Sequence, residues 1–234
     1  CLNRINDWIE DEQLSMHNIL SKTVDLIPVS WEKPNTTYCR ITYQDKVYKS
    51  RKFRETQLSD VETLYNGNKP VGKIEVFVQS KAATKEKAFL KEEFQLLDNI
   101  AINLSGKITR NFAREQLMIN WQAIHHSATA FAIGDLNGNI IEVNPVFAKT
   151  WGFQNAEEVI GKFYASLLGD KDDAEKIMRS LQTKGLWRGE TKGVKKDGSI
   201  FEIEAAASVV VNDRGSPIAL TSTFVDITDR KRSE

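Results

Sequence analysis

The chain has 234 residues, of which 41% are hydrophobic and 27% are charged, and its 32 Lys and Arg residues balance its 32 Asp and Glu residues. This balance is typical of a globular protein with enough length for two domains, and no apolar run approaches the roughly 18 residues of a membrane-spanning helix. Neither half is basic enough to indicate a nucleic-acid partner.

Cys1 and Cys39 are the only cysteines of the chain. They predict no disulfide framework and no zinc site, and they suit a reducing compartment. Because the N-terminus also lacks the basic-then-apolar order of a signal peptide, we expect a cytoplasmic location and no membrane contact. The sequence begins at Cys1 and ends in a charged run at Glu234, so we expect it to be a piece of a longer polypeptide.

The first part of the chain has the pattern of an antiparallel sheet with helices at both ends. Residues 3–20 predict an amphipathic helix, and Pro28 and Pro34 bracket a predicted loop. Alternating β-favouring residues predict three strands, which are 38–43, 47–48 and 71–78.

This order of elements carries a family resemblance. Pro70-Val71-Gly72-Lys73-Ile74 begins the last predicted strand, and Phe89-Leu90-Lys91-Glu92-Glu93 begins a long helix. Residues 1–112 therefore resemble a GAF domain. The resemblance implies a sensory role for this part of the chain.

A helical pattern without proline fills residues 88–127. Its apolar positions have the 4-3-4-3 spacing of a coiled-coil seam, and they are Leu90, Phe94, Leu97, Ala101, Leu104 and Ile108. Asn111 and Glu115 interrupt this seam. Two interpretations stay open: one helix packed on its own sheet, or a homodimer paired along the helix with Asn111 setting the register. We expect docking near Phe94 and pairing nearer Ile108.

The C-terminal part carries an ordered series of turn and cap motifs. They are Asp135-Leu136-Asn137-Gly138, Asn144-Pro145-Val146-Phe147, Trp187-Arg188-Gly189-Glu190, Lys196-Asp197-Gly198-Ser199 and Asp226-Ile227-Thr228. The segments between them predict two strands, short helices and three further strands. Asn144 is expected to cap a helix that has Pro145 at its first position. Together these motifs resemble a PAS domain with its PAC tail over about residues 121–234.

PAS domains bind a small ligand or a second copy of themselves. The candidate ligand pocket lies between the sheet and the short helices. The expected apolar lining is Phe131, Ile133, Phe147, Trp151, Phe153, Phe163, Leu167, Ile177, Leu181, Trp187, Phe201 and Ile203. The polar candidates are Asn144, Glu190, Ser208, Thr221 and Thr223. We favour a filled core over a ligand cavity because interiors pack densely, and only the run from Ala205 to Ser208 leaves room.

The positions of Cys and His restrict which cofactors the chain can bind. From residue 128 onward there is neither Cys nor His, so we expect no adduct-forming flavin and no haem held by a histidine of that core. Cys39 is a candidate haem thiolate, although packing is the preferred interpretation. The identity of any cofactor stays unknown, and haem and a non-covalent flavin stay candidates. The three histidines do not have the spacing of a metal site.

The end of the chain resembles the signal exit of PAS domains. In that family the aspartate of a terminal Asp-Ile-Thr engages a basic residue and couples the core to an output helix. The resemblance implies this role for Asp226, Ile227, Thr228, Arg230 and Lys231. Thr228 can cap the helix while Asp226 fixes its direction through a charge-assisted hydrogen bond.

These expectations combine into an α+β fold of two domains, each an antiparallel β-sheet flanked by helices, GAF-like first and PAS second, joined by a long helix. The predicted domains are 1–112, a helical linker at 113–127, and 128–234 with the PAC tail and the start of an output helix. No catalytic motif is present in the sequence, so we expect no enzyme in this segment.

The predicted function is the sensory and dimerisation region of a cytosolic signal-transduction protein. The parent is expected to be a two-component sensor histidine kinase that detects a small ligand or redox state and has an output domain downstream. Two alternatives stay open. One is a protein interaction module with filled cores, and the other is the sensory region of a diguanylate cyclase or transcription regulator.

Overall fold

A computed structural model describes residues 1–81 and 84–233. The chain divides into two compact units, Cys1–Leu117 and Met118–Glu234. The fold is mixed α+β, and each unit is built on one antiparallel sheet with flanking helices, as expected. Glu234, the end of the predicted PAS segment, lies outside the described residues.

The first unit has a four-stranded sheet in the order β2-β1-β4-β3, and neighbouring strands are antiparallel. Its elements are α1 (Leu2–Glu10), α2 (Met16–Val29), β1 (Thr37–Tyr43), β2 (Lys46–Lys49), β3 (Leu58–Asn66), β4 (Lys69–Val78), α3 (Lys85–Ala88) and α4 (Lys91–His125), of which α4 continues into the second unit.

Two sequence predictions for this unit are corrected. The helix predicted over 3–20 is two helices, because the Oγ of Ser15 accepts a hydrogen bond from the Asn18 N–H and begins a new helix there. Pro28 lies inside α2 and does not bracket a loop. Strand β3 was not predicted, since its sequence mixes charged and apolar residues without clean alternation.

The apolar seam of α4 packs onto its own sheet. Its members from Leu97 to Ile108 are buried in the core of the first unit. Ser105 Oγ and Thr109 Oγ1 accept hydrogen bonds from the backbone N–H groups at the β3–β4 turn, at 3.0 and 2.9 Å. Ile108 therefore packs within its own unit, and pairing with a second copy along the rest of the helix stays a prediction.

The second unit has a five-stranded antiparallel sheet in the order β6-β5-β9-β8-β7. Two strands, short helices and three strands follow one another as predicted. The elements are β5 (Ala130–Gly134), β6 (Ile140–Val143), α5 (Pro145–Thr150), 3-10 turns at Ala156–Glu158 and Tyr164–Leu167, α6 (Lys171–Lys184), β7 (Leu186–Val194), β8 (Ile200–Val211), β9 (Pro217–Asp226) and α7 (Thr228–Ser233).

An aromatic cluster forms the centre of the second core. Trp151 stacks on Phe147 with ring centroids 4.2 Å apart. Phe201 and Phe224 meet the Trp151 ring edge-on at 5.1 and 4.9 Å. Stacked and edge-to-face contacts of this kind are favourable for aromatic rings. Because Phe147 belongs to α5 while Phe201 and Phe224 belong to β8 and β9, the cluster holds α5 against the sheet.

Candidate functional site

A cavity of about 80 Å³ lies inside the second unit, between the inner face of the sheet, α6 and the 3-10 turn Tyr164–Leu167. Of the residues expected there, Ile133, Phe147, Trp151, Leu167, Ile177, Leu181, Trp187 and Thr221 border it. The sequence reading missed several others, including Ile140, Tyr164, Leu168, Thr191, Leu220, Ser222 and Phe224. The walls are almost entirely apolar.

Small side chains on β8 create this space. Ala205 and Ala207 both border the cavity, across from the bulky groups of α6. The alanine run was the one place where the sequence predicted room. Interiors normally fill such volume, and a larger residue at either alanine would occupy it.

Two hydroxyl groups at the wall are hydrogen-bonded within the protein. The hydroxyl of Tyr164 donates to the Ala174 carbonyl at 2.6 Å, and the Thr191 hydroxyl donates to Asp173 Oδ2 at 2.8 Å. The Thr191 hydrogen bond, followed by the one from Lys176, lowers the pKa of Asp173. Both bonds hold α6 over the cavity, and they leave few polar groups for a ligand.

Several predicted pocket residues lie elsewhere. Inward and outward side chains alternate along each strand, and the register pairs Ser208 with Thr221 and Phe131 with Thr223. Phe131, Glu190, Ser208 and Thr223 belong to the outer face of the sheet, and none of them borders the cavity. Thr221 shares that face and its hydroxyl is hydrogen-bonded to the Ser208 hydroxyl at 3.0 Å, although the residue borders the cavity. Phe163 is 48% exposed and also lies outside it.

Asn144 is a structural anchor. Its Oδ1 accepts from the N–H groups of Phe131 and Phe147 at 2.9 and 3.0 Å. Its Nδ2 donates to the carbonyls of Thr129 and Ile124 at 2.8 and 3.2 Å. The amide therefore has all its hydrogen bonds made and is not available to a ligand.

The last strand leads directly into α7. Asp226 Oδ1 accepts from the Thr228 N–H at 2.9 Å, and Thr228 Oγ1 accepts from the Glu202 N–H at 3.1 Å. Ile227 is buried, and its N–H donates to the Glu202 carbonyl. These bonds place the start of α7 against β8.

The basic residues of α7 pair with the sheet. Arg230 Nη2 donates to Glu190 Oε1 at 3.1 Å, and Lys231 forms an ion pair with the same carboxylate. The Lys231 hydrogen bond, with the charge of Arg230, lowers the pKa of Glu190. Within residues 84–233, Asp226 has no ion pair with a basic side chain, so the expected partner of Arg230 and Lys231 is corrected from Asp226 to Glu190.

Cys39 does not fit a thiolate ligand. It is fully buried in the core of the first unit. Burial, followed by the charges of Glu75 and Asp25, raises the pKa of its thiol well above the ordinary value. A protonated, enclosed thiol packs as a small hydrophobe, so Cys39 does not suit the thiolate ligand of a haem.

The residues that the structure describes contain neither a metal-ligand cluster nor a membrane-spanning helix. No group of three or more His, Cys, Asp or Glu side chains could hold a metal ion there. No helix in that part of the chain has the length and apolarity to cross a membrane.

A family model matches most of the second unit. Residues 128–229 match the family model described as PAS domain. The PAS domain of a protein from Colwellia psychrerythraea is 25% identical, covers 49% of this chain and 99% of its own, and has a TM-score of 0.46. The PAS domain of an HTR-like protein from Haloarcula marismortui is 21% identical, covers 50% and 98%, and has a TM-score of 0.43.

A third solved structure, an RNA-binding light-oxygen-voltage receptor, is 25% identical, covers 51% of this chain and 35% of its own, and has a TM-score of 0.46. No curated protein matches the chain. The family-model match identifies residues 128–229 as a PAS domain, a class of sensory domain in signal transduction.

Proposed function

We propose that the PAS domain senses a small apolar molecule bound in the cavity beneath α6. The observation that supports this proposal is a space of about 80 Å³ whose walls are apolar and whose Tyr164 and Thr191 hydroxyls are already bonded within the protein. Apolar cavities of this kind stay dry and take up apolar guests. We therefore prefer a ligand cavity to the filled core that the sequence favoured.

The size of the cavity restricts the ligand. Sites for drug-sized molecules have volumes of roughly 300–1,000 Å³. A cavity of about 80 Å³ is well below that range, so a flavin or haem does not fit the core in this conformation. The ligand class is a compact apolar molecule of a few heavy atoms.

The signal leaves through β7 and α7. Thr191 borders the cavity, while its neighbour Glu190 lies on the opposite face of β7 and holds Arg230 and Lys231. A ligand that displaces β7 therefore displaces the carboxylate that fixes α7. A small shift of β7 on the cavity side therefore changes how α7 is held on the opposite face of the sheet.

The ligand proposal predicts different effects at two adjacent alanines. Ala205 borders the cavity, whereas Ala206 lies on the other face of β8. Wild-type chain under xenon pressure is expected to show NMR shifts at methyl groups that line the cavity. Ala205→Leu fills the space and is expected to abolish these shifts, and Ala206→Leu is expected to leave them intact. Xenon shifts that survive in Ala205→Leu would place the guest elsewhere and refute the site.

The output proposal predicts a local effect of Glu190→Gln. Removal of the charge removes the ion pairs that Arg230 and Lys231 make with this carboxylate, so backbone amides of α7 are expected to exchange with solvent several-fold faster while the core amides keep their rates. Since the pKa of Glu190 is lowered, the wild-type attachment persists at neutral pH and is lost only as the pH falls through that lowered value. The control is Glu175→Gln, which changes an exposed residue of α6. Equal α7 exchange in both variants contradicts the proposed exit.

We further infer that the chain is the sensory region of a cytoplasmic two-component histidine kinase, with a PAC tail and an output domain downstream. The element order of the first unit, helices around an antiparallel sheet and a closing long helix, supports a GAF-like sensory domain. Homodimerisation within residues 88–127 is supported by exposed apolar side chains on the later part of α4, which are Phe112, Leu117, Met118, Ile119, Trp121 and Ile124. They replace Ile108 as the proposed pairing residues.

A further inference from the structure

One hydroxyl group at the wall of the PAS cavity has no hydrogen-bond partner. The wall residues that carry a hydroxyl are Tyr164, Thr191, Thr221 and Ser222. The first two donate to groups of α6, and the third is bonded to Ser208. The Ser222 hydroxyl makes no hydrogen bond within the described residues. Ser222 therefore carries the wall hydroxyl that a ligand can use.

The side chain of Ser222 lies on the inner face of β9. Side chains alternate between the faces of a strand, and Phe224, two positions later, contacts Trp151 in the core. In the part of the chain that the structure describes, the fully enclosed side-chain atoms without a partner are Thr23 Oγ1 and Trp31 Nε1. The Ser222 Oγ therefore reaches open space, and the open space that Ser222 borders on this face is the cavity.

Two alanines flank Ser222 in the sheet. The register pairs Ser222 with Ala132 of β5 and with Ala207 of β8, and both alanines border the cavity. Their methyl groups are short and offer no hydrogen bond. Trp187 of β7 follows Ala207 in the same row and borders the cavity too. A small molecule that lies along this row therefore meets one hydroxyl among apolar groups.

The free hydroxyl restricts the chemistry of the ligand. A polar group in an apolar space is unfavourable until it has a partner, and a ligand with a hydrogen-bond acceptor supplies one. An alcohol would bring a further donor of its own, whereas a carbonyl oxygen only accepts. No Lys, Arg, His, Asp or Glu of the described chain borders the cavity, so a charged ligand would have no counter-charge at the wall. A neutral carbonyl compound satisfies all these conditions.

We propose that the PAS cavity binds a compact neutral carbonyl compound whose oxygen accepts a hydrogen bond from the Ser222 hydroxyl. Ser222 is then the residue that determines specificity, because it distinguishes a carbonyl compound from a hydrocarbon of the same size. The inference rests on the function proposed for this cavity. It narrows the ligand from any small apolar molecule to a small ketone, aldehyde or ester.

Acetone labelled with ¹³C at the carbonyl is the probe, titrated into the 234-residue chain and followed by NMR. Wild type is expected to bind it at millimolar concentration. The bound carbonyl signal is expected at a higher chemical shift than that of acetone in an alkane, because a hydrogen bond deshields the carbonyl carbon. Ser222→Ala is expected to bind acetone about three- to tenfold more weakly, the effect of one lost hydrogen bond. The control is Thr223→Val, which removes the exposed hydroxyl of the next residue on the outer face and is expected to bind like wild type.

Xenon separates this inference from the function on which it rests. Ser222→Ala is expected to keep the xenon-induced methyl shifts of wild type, because xenon makes no hydrogen bond. Where xenon binds, equal acetone affinity in wild type and Ser222→Ala, or no acetone binding by wild type, would overturn the carbonyl ligand and leave the cavity proposal standing. Wild type that binds neither xenon nor acetone would overturn both. If Ser222→Ala fails to fold, the wild-type carbonyl signal decides: the alkane value overturns the inference, and a higher chemical shift supports it.

Discussion

Replacing Asn144 with Ala is expected to destabilise the PAS domain by about 3 kcal/mol, which combines loss of an N-cap with buried backbone groups left unpaired. The amide of Asn144 holds the start of α5, the backbone of β5 and the carbonyl of Ile124 near the end of α4. Urea denaturation measures the change. Asn155→Ala is the control, because Asn155 makes one exposed cap bond of 3.3 Å and its loss is expected to cost less than about 1 kcal/mol.

A second variant separates capping from anchoring. Asn144→Asp keeps an acceptor for the N–H groups of Phe131 and Phe147 but places a carboxylate against the carbonyls of Thr129 and Ile124. If the donor bonds of the amide matter, this variant is expected to be destabilised too, and the amides near the end of α4 are expected to exchange faster. Wild-type stability of Asn144→Asp would show that capping alone explains the residue.

Trp151→Ala is expected to destabilise the second unit by about 3–5 kcal/mol, the range for truncating a buried aromatic residue. Trp151 is 1% exposed, stacks on Phe147 and borders the apolar cavity. Because the truncation enlarges that cavity, indole is expected to bind the variant and to restore part of its Tm, with no effect on wild type.

The control for this prediction is Ile141→Ala. Ile141 is 51% exposed on β6 of the same unit and does not border the cavity, so its truncation is expected to cost less than about 1 kcal/mol. Differential scanning calorimetry with and without indole provides both measurements. Equal stability of the two variants, or absence of an indole effect on Trp151→Ala, would contradict the assigned cavity.

Local chemistry made much of the second unit predictable from the sequence. Asn144 caps α5 with Pro145 at its first position, as predicted, and Gly185 ends α6 at a φ of 73°. These signals depend on a few neighbouring residues: a side-chain acceptor, a fixed φ and a residue without a Cβ. The burial of β8 also follows period two from Phe201 to Ala205.

The outward position of Glu190 was also present in the sequence but was not used. Trp187 and Glu190 are three residues apart on one strand, so period-two alternation puts them on opposite faces. Trp187 borders the cavity, and Glu190 pairs with α7. Alternation therefore excludes Glu190 from the pocket wall, where it had been predicted.

The caps, turns and strand order of the PAS domain follow from neighbouring residues, so they could be predicted from the sequence. Three other features depend on how the elements pack: the burial of Ile108 against its own sheet, the space beside Ala205, and the pairing of Arg230 with Glu190. These results depend on packing between elements distant in sequence, and neither periodicity nor spacing encodes the distance between two such side chains.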